Sequence, residues 1–271
     1  QAVDLAQRAL RRAPDDAAAH RLLGLAWMRL FDRGRAVLHL NRCLEIAPGD
    51  AEAAVALATL EERPVSLPAD FVRCLFDEFS ERYDDHMRRR LRYKGPEHVL
   101  DALRRTGGLE PGLYDVLDLG CGTGLSGEAI RPFARRLEGI DVSAGMVAKA
   151  RERGIYDALA VADMLAALGA AARWDLILAV DALVYVGDLG PVLAAVAQAL
   201  RPHGRFAGTV EESAGPDLEL KPTRRFGHAR GHVERTVAAA GLRLACLESA
   251  SYREEKLVPV PSLIFVAVKE A

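Results

Sequence analysis

The chain has 271 residues, half of them hydrophobic and 27% charged, with 36 basic and 38 acidic side chains and a formal net charge of −2. That apolar content builds a sizeable core, yet no run approaches the roughly 20 uninterrupted apolar residues of a membrane span, which excludes the transmembrane and disordered classes. Near-balanced charge speaks against wholesale binding to nucleic acid or to an anionic membrane.

The chain opens at Gln1 without an initiator methionine, so it is expected to be a fragment or to lack its first residues. No basic segment followed by an apolar stretch opens it, so no signal peptide is expected within it. A repeat comes first. Ala9-Leu-Arg-Arg-Ala-Pro-Asp-Asp-Ala17 recurs as Cys43-Leu-Glu-Ile-Ala-Pro-Gly-Asp-Ala51, an offset of 34 residues and the period of the tetratricopeptide helix pair. Leu22, Leu23, Ala26, Leu30, Ala36, Leu40 and Leu44 fall at helical spacing, with Asp32-Arg-Gly34 as a turn. The pattern predicts helices over 1–13, 16–31, 34–47 and 50–62 within a segment 1–63, the first being the second helix of a repeat whose first helix is missing. Stacked helix pairs of this kind offer a concave surface for a protein partner.

Pro64 and Pro68 predict a linker, and residues 64–98 read as linker plus aromatic cap helix. In that helix Phe71, Leu75, Phe76, Phe79 and Tyr83 repeat at spacings of three and four and form one apolar face. The basic run Arg88–Lys94 that follows reads as a solvated face, with contact to an anionic acceptor, or less readily to a nucleic acid, as its competing use. From Asp115 the grammar changes to short apolar runs, 116–119, 137–140, 159–161, 174–180, 205–210, 242–247 and 262–268. Helical stretches near 125–135, 144–153, 188–200 and 230–240 alternate with several of them, which predicts a parallel sheet covered on both faces within a domain at 99–271. The last two runs have no helix between them and are expected to pair antiparallel. Cys43, Cys74, Cys121 and Cys246 lie far apart without a C-x-x-C pair. That spacing suggests neither a zinc site nor a disulfide framework, and points to the cytoplasm.

The most informative stretch is Asp118-Leu-Gly120-Cys121-Gly122-Thr123-Gly124-Leu-Ser-Gly127. Gly122 to Gly127 satisfies the G-x-G-x-x-G pattern of dinucleotide sites. A pyrophosphate at the helix start, however, would be repelled by a carboxylate placed there, and Asp118 ends the strand two residues before Gly120. A cationic ligand fits better, and S-adenosyl-L-methionine carries a sulfonium and an ammonium beside an adenosine. Asp141 lies 21 positions beyond Gly120, the spacing of a ribose-binding acid. Asp163, between Ala162 and Met164, ends the third strand, where a carboxylate accepts a hydrogen bond from the adenine amino group; a plain helix cap is its competing role. Val142 and Met146 are placed to flank the adenine.

Val116-Leu-Asp-Leu-Gly-Cys-Gly-Thr-Gly124 resembles the first motif of class I S-adenosylmethionine-dependent methyltransferases, and Gly139-Ile-Asp-Val-Ser-Ala-Gly-Met146 their second. Trp174-Asp-Leu-Ile-Leu-Ala-Val180-Asp181 resembles the fourth-strand motif, and Leu200-Arg-Pro-His-Gly204 the turn into strand five. With the repeat in front, and with Phe76-Asp-Glu-Phe79 and Leu91-Arg-Tyr-Lys-Gly-Pro96 ahead of the glycine loop, the chain is similar to bacterial tetratricopeptide-containing methyltransferases. The resemblance implies a Rossmann-like α/β fold of seven strands, the last antiparallel, preceded by an all-α segment. It implies S-adenosyl-L-methionine as cofactor, S-adenosyl-L-homocysteine as product, and methyl transfer to O or N of a small-molecule or peptide-like acceptor. A base is needed only where the acceptor must lose a proton. The candidates are His228, in the segment that covers the acceptor in this fold, His86 at the end of the aromatic helix, and Tyr185 after the fourth strand. Asp181 shares that last position. The pair His228/His232 lacks a third ligand, so no metal is expected. The competing functions are an NAD(P)-dependent oxidoreductase and a non-catalytic scaffold binding partners through its repeats.

Overall fold

Asp16 and Asp50, 34 residues apart, perform the same task. Each caps a helix, the first accepting the N–H of Ala19 at 3.1 Å and the second that of Ala53 at 3.0 Å. Such caps satisfy donors that a helix start leaves orphaned. In the computed structural model, which describes residues 2–30, 32–61, 69–169, 171–215, 217–221 and 223–271, the chain forms two compact units, Gln1–Phe71 and Val72–Ala271. The first holds helices α1 (Ala2–Arg12), α2 (Ala17–Arg29), α3 (Arg33–Ile46) and α4 (Ala51–Leu60). Their small core gathers Leu40, Cys43, Ala53, Ala56 and Leu57. Gly24 lets α2 and α3 approach, because a Cβ there would stand 2.6 Å from Leu40 Cδ2. Leu22 and Leu38 remain 53% and 66% exposed. The linker expected at Pro64 and Pro68 lies outside the described residues.

The second unit begins within α5 (Ala69–Phe79) and continues through a run of irregular helical turns to Arg90 and α6 (Gly95–Arg105). Strand and helix then alternate: β1 (Tyr114–Leu119), α7 (Leu125–Ile130), β2 (Ala134–Asp141), α8 (Ala144–Glu152), β3 (Ala158–Val161), α9 (Met164–Leu168), β4 (Trp174–Ala179), α10 (Gly190–Ala199) and β5 (Leu200–Glu212). A short hairpin of β6 (Leu218–Leu220) and β7 (Phe226–His228), helix α11 (Arg230–Ala239), and strands β8 (Leu242–Ala250) and β9 (Ser262–Lys269) complete it.

The sheet runs β3-β2-β1-β4-β5-β9-β8. β9 is antiparallel to both neighbours, while β1 to β5 are mutually parallel. The last two apolar runs thus pair antiparallel, as their short connection requires. Apolar side chains cover both faces. Leu168, Leu193, Val196, Val233 and Val237 pack on one, and Val99, Leu103, Ile130 and Tyr252 on the other. This accounts for the near-continuous apolar strands. The β6–β7 hairpin, absent from the sequence reading, extends the far end of β5 through the pairs Glu211/Gly227 and Glu212/His228. No helix among the described residues is long and apolar enough to cross a membrane.

Strand order reverses at β1, which has β2 on one side and β4 on the other. In open sheets of this kind ligands bind outside the carboxyl ends of the strands at that switch point.

Candidate active site

β1 delivers Asp118 fully buried, and the chain then turns through Gly120, Gly122 and Gly124, all at positive φ (69°, 53° and 95°). Only glycine takes such a run without strain. At Gly120 space matters as well, since a Cβ would stand 2.6 Å from that of Ala182, whereas at Gly122 it would meet nothing within 4 Å. The loop therefore presents an open backbone face beside a buried carboxylate. Cys121 anchors it, donating its N–H to Ile140 O at 2.9 Å, while burial, with Asp118 and Asp141 adding, raises its thiol pKa far above the usual range.

Asp118 accepts one hydrogen bond, from Tyr156 OH to Oδ2 at 2.7 Å, while its buried Oδ1 has no partner among the described residues. Burial, opposed by the Tyr156 bond and reinforced by Asp141, pushes the Asp118 pKa up to about 7. An orphaned acceptor at that depth costs free energy unless a donor arrives. Sequence reasoning missed Tyr156, although the glycines carry its imprint. A Cβ at Gly127 would lie 2.1 Å from Tyr156 OH, and one at Gly139 2.7 Å from its ring. The third glycine of the fingerprint thus makes room for the tyrosine that holds Asp118.

Asp141, the last residue of β2, accepts the N–H of Gly122 and of Ser143, each at 2.9 Å, and joins the glycine loop to the start of α8. Burial raises its pKa against these two bonds. Val142 is half-buried beside it and Met146 buried. Ala162 donates its N–H to Asp141 O at 3.0 Å. Asp163 is exposed and caps α9 by accepting the N–H of Leu165 at 2.9 Å. Met164 reaches back towards Gly120, its Cε 3.2 Å from where a Cβ would be. Val180, at the end of β4, is buried.

The aromatic segment is tied to both loops. Asp77 accepts hydrogen bonds from Ser143 Oγ at 2.5 Å and Gly145 N–H at 3.0 Å, and Asp84 accepts one from Thr123 Oγ1 at 2.5 Å and pairs with Arg153. Phe76 meets Tyr83 and Tyr185 edge-on at 6.1 and 5.3 Å, and Phe79 meets Tyr83 and His86 at 5.9 and 5.1 Å. Leu75, expected on the same face, is 41% exposed; the side chain of Phe71 lies outside the described residues.

Of the candidate bases, Tyr185 and His86 both join this aromatic group, and the Tyr185 phenol accepts from Arg225 Nε at 3.2 Å. His86 is half-buried, and burial lowers its pKa. His228 is fully buried, with Nε2 3.0 Å from Gly187 O, Nδ1 unpartnered among the described residues, and a pKa lowered by burial to about 4. It is therefore neutral at physiological pH. Its ring stacks on that of His232 at 5.7 Å.

A buried ionic network at the carboxyl end of β4 was not visible in sequence. Arg253, with no exposed side-chain surface, lies between Asp181 and Glu211. Glu211 also pairs with Lys221 at 3.0 Å, and Arg225 pairs with Glu255. Backbone bonds of 2.7 Å from Lys94 N–H to Tyr252 O and from Glu254 N–H to Leu91 O hold the segment that carries Arg253.

Residues 116–204 match the family described as "Methyltransferase domain", so the chain carries a methyltransferase domain. No curated protein matches the chain. Among solved structures, 1,6-didemethyltoxoflavin-N1-methyltransferase of Burkholderia thailandensis, with bound 1,6-didemethyltoxoflavin and S-adenosylhomocysteine, is 21% identical; the likeness covers 77% of this chain and 95% of that one with a TM-score of 0.59. Magnesium protoporphyrin IX methyltransferase of Synechocystis PCC 6803, with bound S-adenosylhomocysteine, is 20% identical over 74% and 99% of the two chains with a TM-score of 0.55. The (4+2)-cyclase SpnF is 19% identical over 77% and 98%, with a TM-score of 0.62. At these identities the likeness is one of fold, and a cyclase on the same fold shows that architecture alone does not fix chemistry.

Proposed function

We propose that the chain is an S-adenosyl-L-methionine-dependent methyltransferase acting on O or N of a small-molecule or peptide-like acceptor. The observation that carries this reading is the unpartnered Oδ1 of Asp118 beside the open face of Gly122. A buried carboxylate, acceptor-only once ionised and with its pKa raised by burial to about 7, asks for a cationic donor such as an α-ammonium. When bound, the cofactor supplies an electrophilic methyl group on a positively charged sulfur. On this reading Asp118 and the loop Gly120–Gly124 hold the methionine part, and Asp141 holds the ribose hydroxyls with its remaining lone pairs. Val142 and Met146 flank the adenine, and Asp163 receives its amino group from the start of α9. The chain's remaining task is to keep an acceptor in line with the sulfur, and positioning of this kind supplies several orders of magnitude in rate. Tyr185, His86 and His228 are the side chains proposed to attend the acceptor, His228 as the neutral imidazole.

Asp141→Ala tests the cofactor assignment. Loss of two ribose hydrogen bonds to a charged acceptor is expected to weaken binding of S-adenosylhomocysteine by about tenfold to a hundredfold in calorimetry. Affinity equal to that of the parent would remove Asp141 from the site.

For the first unit we propose a tetratricopeptide segment that binds a protein partner in a cytoplasmic setting. The matched capping roles of Asp16 and Asp50, and the exposure of Leu22 and Leu38 on adjacent helices, support it. A photo-crosslinking residue at Leu38 is expected to trap a discrete protein in cells, and no specific adduct would count against a partner there.

A further inference from the structure

Asp181 adopts φ +56°, in the left-handed region that residues other than glycine enter uncommonly and that is over-represented at functional sites. The fold maintains it through an N–H bond to Thr209 Oγ1 at 2.8 Å, and Oδ1 accepts both Tyr252 OH, at 3.0 Å, and Arg253. The side chain is 7% exposed, yet Oδ2 accepts no hydrogen bond from any described residue. Position, backbone and neighbours thus combine to leave one carboxylate oxygen for a donor from outside the chain.

The surroundings of that oxygen define what it can take. Burial raises the pKa values of the half-buried phenols of Tyr83 and Tyr93, and both feel the Asp181 charge; Tyr83 also feels Asp141, on the cofactor side. Tyr83 touches Phe76, which touches Tyr185, and Tyr93 meets Tyr252 at 6.0 Å. Ring edges of this kind favour a flat apolar body. The charges nearby are already matched, Asp181, Glu211 and Glu255 against Lys221, Arg225 and Arg253. A self-neutralising network offers no surplus cation to an anionic guest.

We propose that Asp181 receives the methyl acceptor, its Oδ2 accepting a hydrogen bond from the O–H or N–H of a neutral aromatic molecule held among Phe76, Tyr83, Tyr93 and Tyr185. This assignment rests on the methyl-transfer reading above. It makes Asp181 the group that orients the nucleophile, and it disfavours phosphorylated and polyanionic acceptors.

Fluorescence titration of the full chain, saturated with S-adenosylhomocysteine, with naphthalene, 1-naphthol, 1-naphthylamine and 1-naphthalenesulfonate provides the test. The two donors are expected to bind roughly tenfold or more tightly than naphthalene, with the sulfonate no tighter than naphthalene. In Asp181→Asn and Asp181→Glu the advantage of the donors disappears, while S-adenosylhomocysteine affinity stays within about twofold of the parent. Failure of 1-naphthol to bind, equal binding of 1-naphthol and naphthalene to the parent, an advantage that survives both substitutions, or preference for the sulfonate would each overturn the proposal. Should Asp181→Asn not fold, the parent contrast and the charge-preserving Asp181→Glu still decide. The cofactor reading stands or falls separately, on whether S-adenosylhomocysteine binds in calorimetry.

Discussion

Asp118→Asn is expected to lower the affinity for S-adenosylhomocysteine by about a hundredfold at pH 8, because it removes the buried charge facing the ligand's ammonium, a contact worth about 2–5 kcal/mol. The same substitution is expected to raise the melting temperature of the ligand-free protein at that pH. The folded-state pKa of Asp118 is raised from 3.8 to about 7, chiefly by burial. For an acid raised in this direction, ionisation favours the unfolded chain. The penalty is absent below pH 3.8, grows as pH rises towards 7, and is complete above it. Removing the carboxylate removes the penalty, and Tyr156 OH can still donate to the amide oxygen. Calorimetry and thermal unfolding on the two proteins check both halves. A variant that binds as the parent does would dismiss Asp118 as the cofactor's anchor.

The second large effect concerns Arg253. Its guanidinium is buried between Asp181 and Glu211; burial works most strongly against its charged form, but Asp181, Tyr252 and Glu211 together outweigh that and keep its pKa above the ordinary value. Arg253→Met leaves two buried carboxylates without their shared cation, and unfolding by urea is expected to show a loss of about 3–5 kcal/mol. Replacing a charged network by apolar groups of similar shape is far cheaper than removing one member. The double variant Arg253→Met/Asp181→Asn is therefore expected to recover part of that loss. A single variant as stable as the parent would mean that the network contributes nothing to the fold of this end of the sheet.

Legibility in the sequence followed distance along the chain. The seven apolar runs became the seven strands of the sheet path, the central ones because a strand buried on both faces is largely apolar, a property of adjacent residues, and β3, mostly exposed at the end of the path, through its own short apolar run. The glycine loop was visible for the same reason, since three positive φ angles within five residues leave a compositional mark. The β6–β7 hairpin was not, because strands of three residues are too short for periodicity to register. Tyr156 and Arg253 were hidden for a different reason. Tyr156 reaches Asp118 across 38 positions, and Arg253 reaches Glu211 and Asp181 across 42 and 72, contacts that only the assembled fold creates. Asp77 and Asp84 were passed over as polar positions of an aromatic helix, whereas they tie that helix to Ser143, Gly145 and Thr123. Asp163 shows the opposite case. The capping role weighed from sequence is the one its hydrogen bond to Leu165 displays, and a cap leaves further lone pairs free for an adenine amino group.

On the proposed assignment, a buried carboxylate whose pKa is raised to about 7 couples cofactor binding to proton release. Below that pH a cationic ligand is expected to expel a proton from Asp118, and above it to find the carboxylate already ionised. The most direct measurement is a calorimetric titration of the full chain with S-adenosylhomocysteine at pH 6 and pH 8, in buffers of different ionisation enthalpy. Saturable one-to-one binding is expected, weaker at pH 6 by up to about tenfold and accompanied there by release of close to one proton, with no release at pH 8. Binding of NADH in place of S-adenosylhomocysteine, or binding of S-adenosylhomocysteine with equal affinity and no proton release at both pH values, would contradict the account.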